Sequence, residues 1–178
     1  MPYTPYHFGP SSLIGLILRR WIDIPVFVLV NLVIDLEILV AELWHPRSFG
    51  QRYVHTLLLG AAAGILWGIV AYFFRGFFKW IMDKIQLPYK TSISKMIFSG
   101  ILGAWVHILT DGLYRSNARL FWPTNLTNPL TRFSRREVDF LCVLCFLAAF
   151  VVYIWILGKK PKKKQEQLEK EKRLEIGQ

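Results

Sequence analysis

The acids and histidines of this chain gather at the ends of its apolar runs. Asp35 and Glu37 sit inside the run 24–40, His55 opens the run 55–74, and His107 and Asp111 close the run 96–112. Histidine occurs only four times in 178 residues, and a bilayer charges several kcal/mol for an unpaired ionised group. Acids and imidazoles at the ends of three hydrophobic helices therefore point to a shared neutralising partner. A divalent cation is the best candidate.

His107 and Asp111 are the firmest pair. A spacing of four stacks two side chains on one helix face, about 5–6 Å apart between Cβ atoms. A neutral imidazole beside a carboxylate suits zinc and tolerates manganese or iron, although a hydrogen-bonded pair pinning a helix end explains the spacing about as often. Asp35 and Glu37 are two apart and do not share a helix face, so both reach one site only if the helix unwinds there. His55 alone reads as an interfacial histidine, His7 lies in a proline-bounded segment, and His45, before Pro46, reads as a loop cap. The case for a metal rests on co-occurrence in one predicted layer.

The elements that must position this layer are helical and greasy. Hydrophobic residues make up 53% of the chain and charged residues 19%, a balance that excludes an ordinary soluble domain. Runs 24–43 and 55–74 reach the roughly 20 residues that span a bilayer, and runs 94–111 and 138–157 come close. Segment 11–18 is too short to cross alone. The expectation is an all-α, polytopic membrane bundle of about five helices, one short or half-spanning, with an interfacial amphipathic helix in 75–90, where Arg75, Lys79 and Asp83 recur among aromatics. Asp23 and Pro25 are a good start for the second helix. Gly60, Gly64 and Gly68 offer a face for close helix approach. Cys142 and Cys145, in the last apolar segment, read as small membrane-core residues.

Residues 1–158 read as the membrane domain, and 159–178 as a basic tail, disordered or frayed helix. The N-terminus shows no cleavable signal and reads as retained. The net charge of +10 comes partly from lysines directly after the last helix, a cytoplasmic anchor by the positive-inside rule. No nucleic-acid partner is expected, because no fold positions the cluster. Alternating topology places the acid–histidine layer at one membrane face and the tail at the other. The layer side carries seven Lys and Arg and the tail side twelve, which puts the tail inside and the layer outside. The connector 112–136, with five arginines, is long enough to read as functional.

With those motifs in order, the chain resembles the membrane-bound, metal-dependent hydrolases of bacterial inner membranes. The matching stretches are His7-Phe8-Gly9-Pro10, Val33-Ile34-Asp35-Leu36-Glu37, Arg52-Tyr53-Val54-His55-Thr56, His107-Ile108-Leu109-Thr110-Asp111-Gly112 and Trp122-Pro123. They cover residues 1 to about 125 in order and spacing. Glu37 stands where the family has a second aspartate, Ile34 where it has proline, and Gly50-Gln51 where it often has histidine, which points to one metal instead of two or to a degenerate site. The resemblance implies a hydrolase using a metal-activated water. Asp35, His55, His107 and Asp111 would be ligands, with His7 completing or adjoining the shell. Glu37 would be the spare base, and Arg52 with the connector arginines would hold a phosphate. The implied cofactor is a divalent metal, zinc first. The implied substrate is a phosphoester or other amphipathic, lipid-like ester in the bilayer. A metal- or proton-moving protein and a structural clamp are the competing readings.

Overall fold

The computed structural model describes residues 4–44, 54–124 and 126–176. The described residues form six helices: α1 Thr4–Ile17, α2 Ile24–Trp44, α3 Leu57–Phe73, α4 Arg75–Lys84, α5 Ile93–Gly112 and α6 Arg135–Ile176. The expected all-helical bundle is present, with α1 as its short member. At 14 residues α1 is about 21 Å long, short of a full crossing. Among the described residues, α5 and segment Arg135–Lys159 are long and apolar enough to span a membrane. A third span is added if α3 and α4, bent by 79°, count as one. Alone, α3 has 17 residues, because His55 and Thr56 are used in its cap.

Most helix starts are written in the sequence. Asp23 Oδ1 accepts from the Val26 N–H, Thr56 Oγ1 from Leu59, and Ser92 Oγ from Lys95. Ser134 and Glu137 form a reciprocal capping box at α6. The first helix differs from expectation: it begins at Thr4 rather than Ser11. Pro5 falls in its first turn, where the missing N–H has no helical partner to lose, so the chain is already helical at His7. The last helix runs on past the expected end near Leu157 to Ile176, through Glu, Lys and Gln, which are good helix formers.

Glycines set the crossings. A Cβ on Gly100 would strike the backbone of Gly64, and one on Gly68 would lie 2.6 Å from the Ile97 Cα. The predicted small-residue face of α3 is thus its contact with α5. Gly9 likewise lets α1 meet the backbone of α6 at Cys142. Helices α2 and α5 run parallel in constant register: Ser99 bonds Asp23, and His107, eight residues on, bonds Asn31, eight residues on from Asp23. Eight helical residues are about 12 Å of rise. Fully buried Val26, Phe27, Val30 and Ala104 fill the space between these two levels.

The α4 helix packs Phe78 and Met82 inward and leaves Phe77 and Trp80 exposed, as an interfacial helix should. The long connector after α5 is ordered. Asn128 Nδ2 donates to the Gly112 and Arg115 carbonyls, and the Leu57 N–H to the Leu120 carbonyl. It folds down over the ends of α3 and α5. Cys142 is buried and Cys145 half-buried, both as free thiols.

Candidate metal centre

Four helices deliver side chains to one point. His7 comes from α1, Asp35 and Glu37 from α2, His55 from the cap before α3, and His107 and Asp111 from α5. The three histidines and Asp111 are buried, and their rings crowd together. The His7 and His107 centroids are 4.2 Å apart, and those of His55 and His107 5.6 Å. His55 and the His107–Asp111 pair share one end of the bundle, as the alternating topology requires.

Asp35, His55 and His107 form the tightest group. One ligand atom from each lies within 4.8 Å of the others. Asp35 Oδ1 is 3.4 Å from His107 Nε2 and 3.8 Å from His55 Nε2. Donors bound tetrahedrally to one ion at 2.0–2.2 Å sit about 3.4 Å from each other, so little contraction separates this arrangement from a coordinated one.

Hydrogen bonds on the far side of each ring fix which nitrogen faces the group. Asn31, fully buried in α2, uses both amide hydrogens: Nδ2 donates to Ser11 Oγ at 2.9 Å and to the Val28 carbonyl at 2.7 Å. Its Oδ1 must therefore accept from His107 Nδ1, 3.0 Å away. The lone pair of His107 is left on Nε2, which has no hydrogen-bond partner among the described residues. His55 is set the same way. Its Nδ1 donates to Glu37 Oε2 at 3.1 Å, so its lone pair also sits on Nε2, facing Asp35. Metal-binding histidines show this pattern of an outer partner holding the tautomer.

Two expectations change here. Asp35 and Glu37 both reach the site without any unwinding of α2, because they approach opposite nitrogens of the same imidazole, and the extra methylene of Glu37 covers the added distance. Glu37 is also not placed as a spare base: its two oxygens accept the Val54 N–H at 3.0 and 3.1 Å as well as His55. It anchors His55.

Asp111 stands beside the trio rather than in it. Its Oδ2 is 4.0 Å from His55 Nε2 and 3.3 Å from Arg115 Nη1. Its Oδ1 accepts from Tyr114 Oη at 3.0 Å and faces His7 Nε2 at 3.4 Å. Arg115 also donates from Nε to Tyr114 Oη, so this carboxylate is held from three sides. His7 therefore reaches the layer through Asp111, and its buried Nδ1 has no hydrogen-bond partner among the described residues. Arg52 and His45 lie outside the described residues.

Sequence reading missed Asn31, Ser11, Tyr114 and Arg115 as partners. One signal was present: Asn31 is the lone amide in the run 24–40, four residues before Asp35 and so on the same helix face. No protein-family model, curated protein or solved structure matches the chain.

Proposed function

We propose that this protein is a membrane-embedded, metal-dependent hydrolase whose ion is held by Asp35, His55 and His107. The observation that carries the reading is the convergence of those three donors, with the lone pair of each imidazole directed at the same carboxylate by a partner on the other side. Two imidazoles and one carboxylate suit zinc. Three protein ligands with a fourth position open are the arrangement of catalytic rather than structural zinc sites. When bound, the ion would supply Lewis-acid activation of water and of an ester or phosphoryl oxygen.

The chain's own residues have separate tasks in this reading. Asn31 and Glu37 keep His107 and His55 in the ligating tautomer. Asp111, 4.0 Å from His55 Nε2, takes up a proton, and the His7 Nε2–H facing its Oδ1 helps to orient it. Arg115 holds Asp111 in place, and the exposed guanidiniums of Arg119 and Arg132 draw an anionic substrate to the layer. The sequence resemblance to bacterial inner-membrane hydrolases supports the same reaction class, and the charge bias supports a cytoplasmic tail. A transport role is less well supported, because the apolar level of Val26, Phe27, Val30 and Ala104 separates the metal layer from the next polar cluster.

The test is elemental analysis of the protein purified in detergent, with parallel turnover of an activated phosphodiester. One equivalent of zinc in the wild type, lost in Asp35→Asn together with turnover, is expected. Wild-type protein free of divalent metal after purification without chelator, and unable to take zinc up, would overturn the reading.

A further inference from the structure

A second feature lies next to the metal layer. Leu57 and Ala61 of α3, Trp105 of α5, and Leu120, Trp122 and Leu126 of the connector wall a cleft of about 420 Å³. That volume falls in the usual range of small-molecule sites. Among the described residues of its lining, Thr124 alone brings a side-chain hydroxyl. The indole N–H of Trp105 is already donated to the Leu57 carbonyl, so the indole offers the cleft its apolar ring. Water in such a cleft would lack the two to four polar partners that hold it.

Three observations say what fills it. The cleft opens on the outside of the bundle beside α5, a helix long and apolar enough to span a membrane, and Leu58, Trp105 and Leu126 on its walls are exposed, so its mouth is apolar and open. It also lies at the depth of the metal layer. Leu57 follows His55 by two residues and Trp105 precedes His107 by two, while Leu120 packs on Gly112, next to Asp111. That depth is the helix-end level, where lipid chains join their head groups. Finally, the residue before Leu120 is the exposed Arg119, a cation next in sequence to the apolar wall.

We propose that this cleft binds the hydrocarbon chain of a phosphate-bearing membrane lipid and presents its head-group linkage to the Asp35–His55–His107 layer. The proposal rests on the hydrolase reading for its substrate role and names the substrate class: an anionic lipid phosphoester. Substrate enters sideways from the bilayer, with the chain lying along Leu57 and Ala61 and the phosphate turned over the first turn of α3.

The experiment uses the full chain in phosphatidylcholine nanodiscs doped with phosphatidic acid that carries a diazirine on its acyl chain. After irradiation, labelled peptides are mapped and bound zinc is measured on the same sample. Labelling is expected to concentrate on 57–61, Trp105 and 120–126. It should fall about tenfold in Ala61→Trp, the loss that follows from displacing about two buried methylenes. Thr124→Trp fills the cleft from the connector side and should act alike if the α3 variant misfolds. Zinc content should not change in either. Labelling spread equally over the exposed Phe146 and Phe150 of α6, or unchanged in both variants, would overturn the proposal. Cleft labelling with no zinc in the wild type would support the lipid site and remove the hydrolase reading alone.

Discussion

Two buried polar clusters bridge the parallel helices α2 and α5, and they are finished differently. At the lower level Asp23 is fully satisfied: Oδ1 caps the Val26 N–H, Oδ2 accepts from Thr91 Oγ1 at 2.6 Å, and its own N–H donates to Ser99 Oγ. About 12 Å up the bundle, Asn31 and His107 make the matching bridge, yet His107 Nε2 and His7 Nδ1 keep lone pairs that no described donor meets. A buried polar group without a partner costs roughly 1–3 kcal/mol. Among the described residues the lower cluster leaves one such atom, Tyr89 Oη, against the two ring nitrogens of the upper one, so the upper cluster is the worse clamp. It gains if something else completes it. The lower cluster joins helices, and the upper one also brings three donors close enough to hold a metal ion.

The sharpest way to break that comparison is to delete one group from each cluster. His107→Ala should weaken zinc binding by more than about 100-fold, since outer-shell changes alone cost 10–100-fold. Asp23→Asn should leave zinc binding unchanged while lowering the unfolding temperature. Equal zinc affinity in the two variants would mean the upper cluster is a second clamp.

Next in size is the residue the two clusters share in kind. Asn31→Leu keeps the volume but removes the acceptor that fixes His107, and should cost about 10–100-fold in zinc affinity. Ser11→Ala, one bond further out, should cost less. Titration of the apoprotein with zinc and a competing chelator measures both, and an unaffected Asn31→Leu would remove the tautomer argument.

Packing between the levels offers a third test. Gly100→Ala forces α3 away from α5 and should destabilise by about 1–3 kcal/mol, drawing His55 from His107 and weakening zinc binding in step. Gly76→Ala, where a Cβ meets nothing within 4 Å, is the matched control. Loss of stability in Gly100→Ala with zinc affinity intact would show that the crossing does not position the site.

The smallest effect belongs to the lower cluster alone. Burial, and then the charge of Asp23, push the Tyr89 phenol above its ordinary value of 10.0. The folded protein therefore favours the neutral phenol. Its contribution to stability is complete below about pH 10, the unfolded value, and declines as pH rises beyond it. Thermal unfolding followed from pH 9 to 11, ordinary and alkaline sides of that value, should show a decline that Tyr89→Phe makes shallower. An identical profile in the variant would detach Tyr89 from Asp23.

Much of this was legible in the chain itself. Apolar runs fixed the helices because a bilayer leaves backbone groups no other partner. The Asp23, Thr56, Ser92 and Ser134 caps follow from local hydrogen bonding, which needs only neighbours in sequence. Gly60, Gly64 and Gly68 announced a close crossing by spacing alone, and the alternation of helices brought Asp35, His55 and His107 to one end. What the sequence left open were the partners across helices. Nothing in the spacing says that α2 and α5 run in a register that sets Asn31 against His107, or that Glu37 and Asp35 take opposite edges of the His55 ring. Nor does it say that Asp111, expected in the shell, is drawn aside by Arg115 and Tyr114. Those assignments depend on where whole helices cross. The crossings are decided by backbone contact between Gly64 and Gly100 and by Gly103 against the Phe27 carbonyl, one turn or more along the helices from the side chains they bring together.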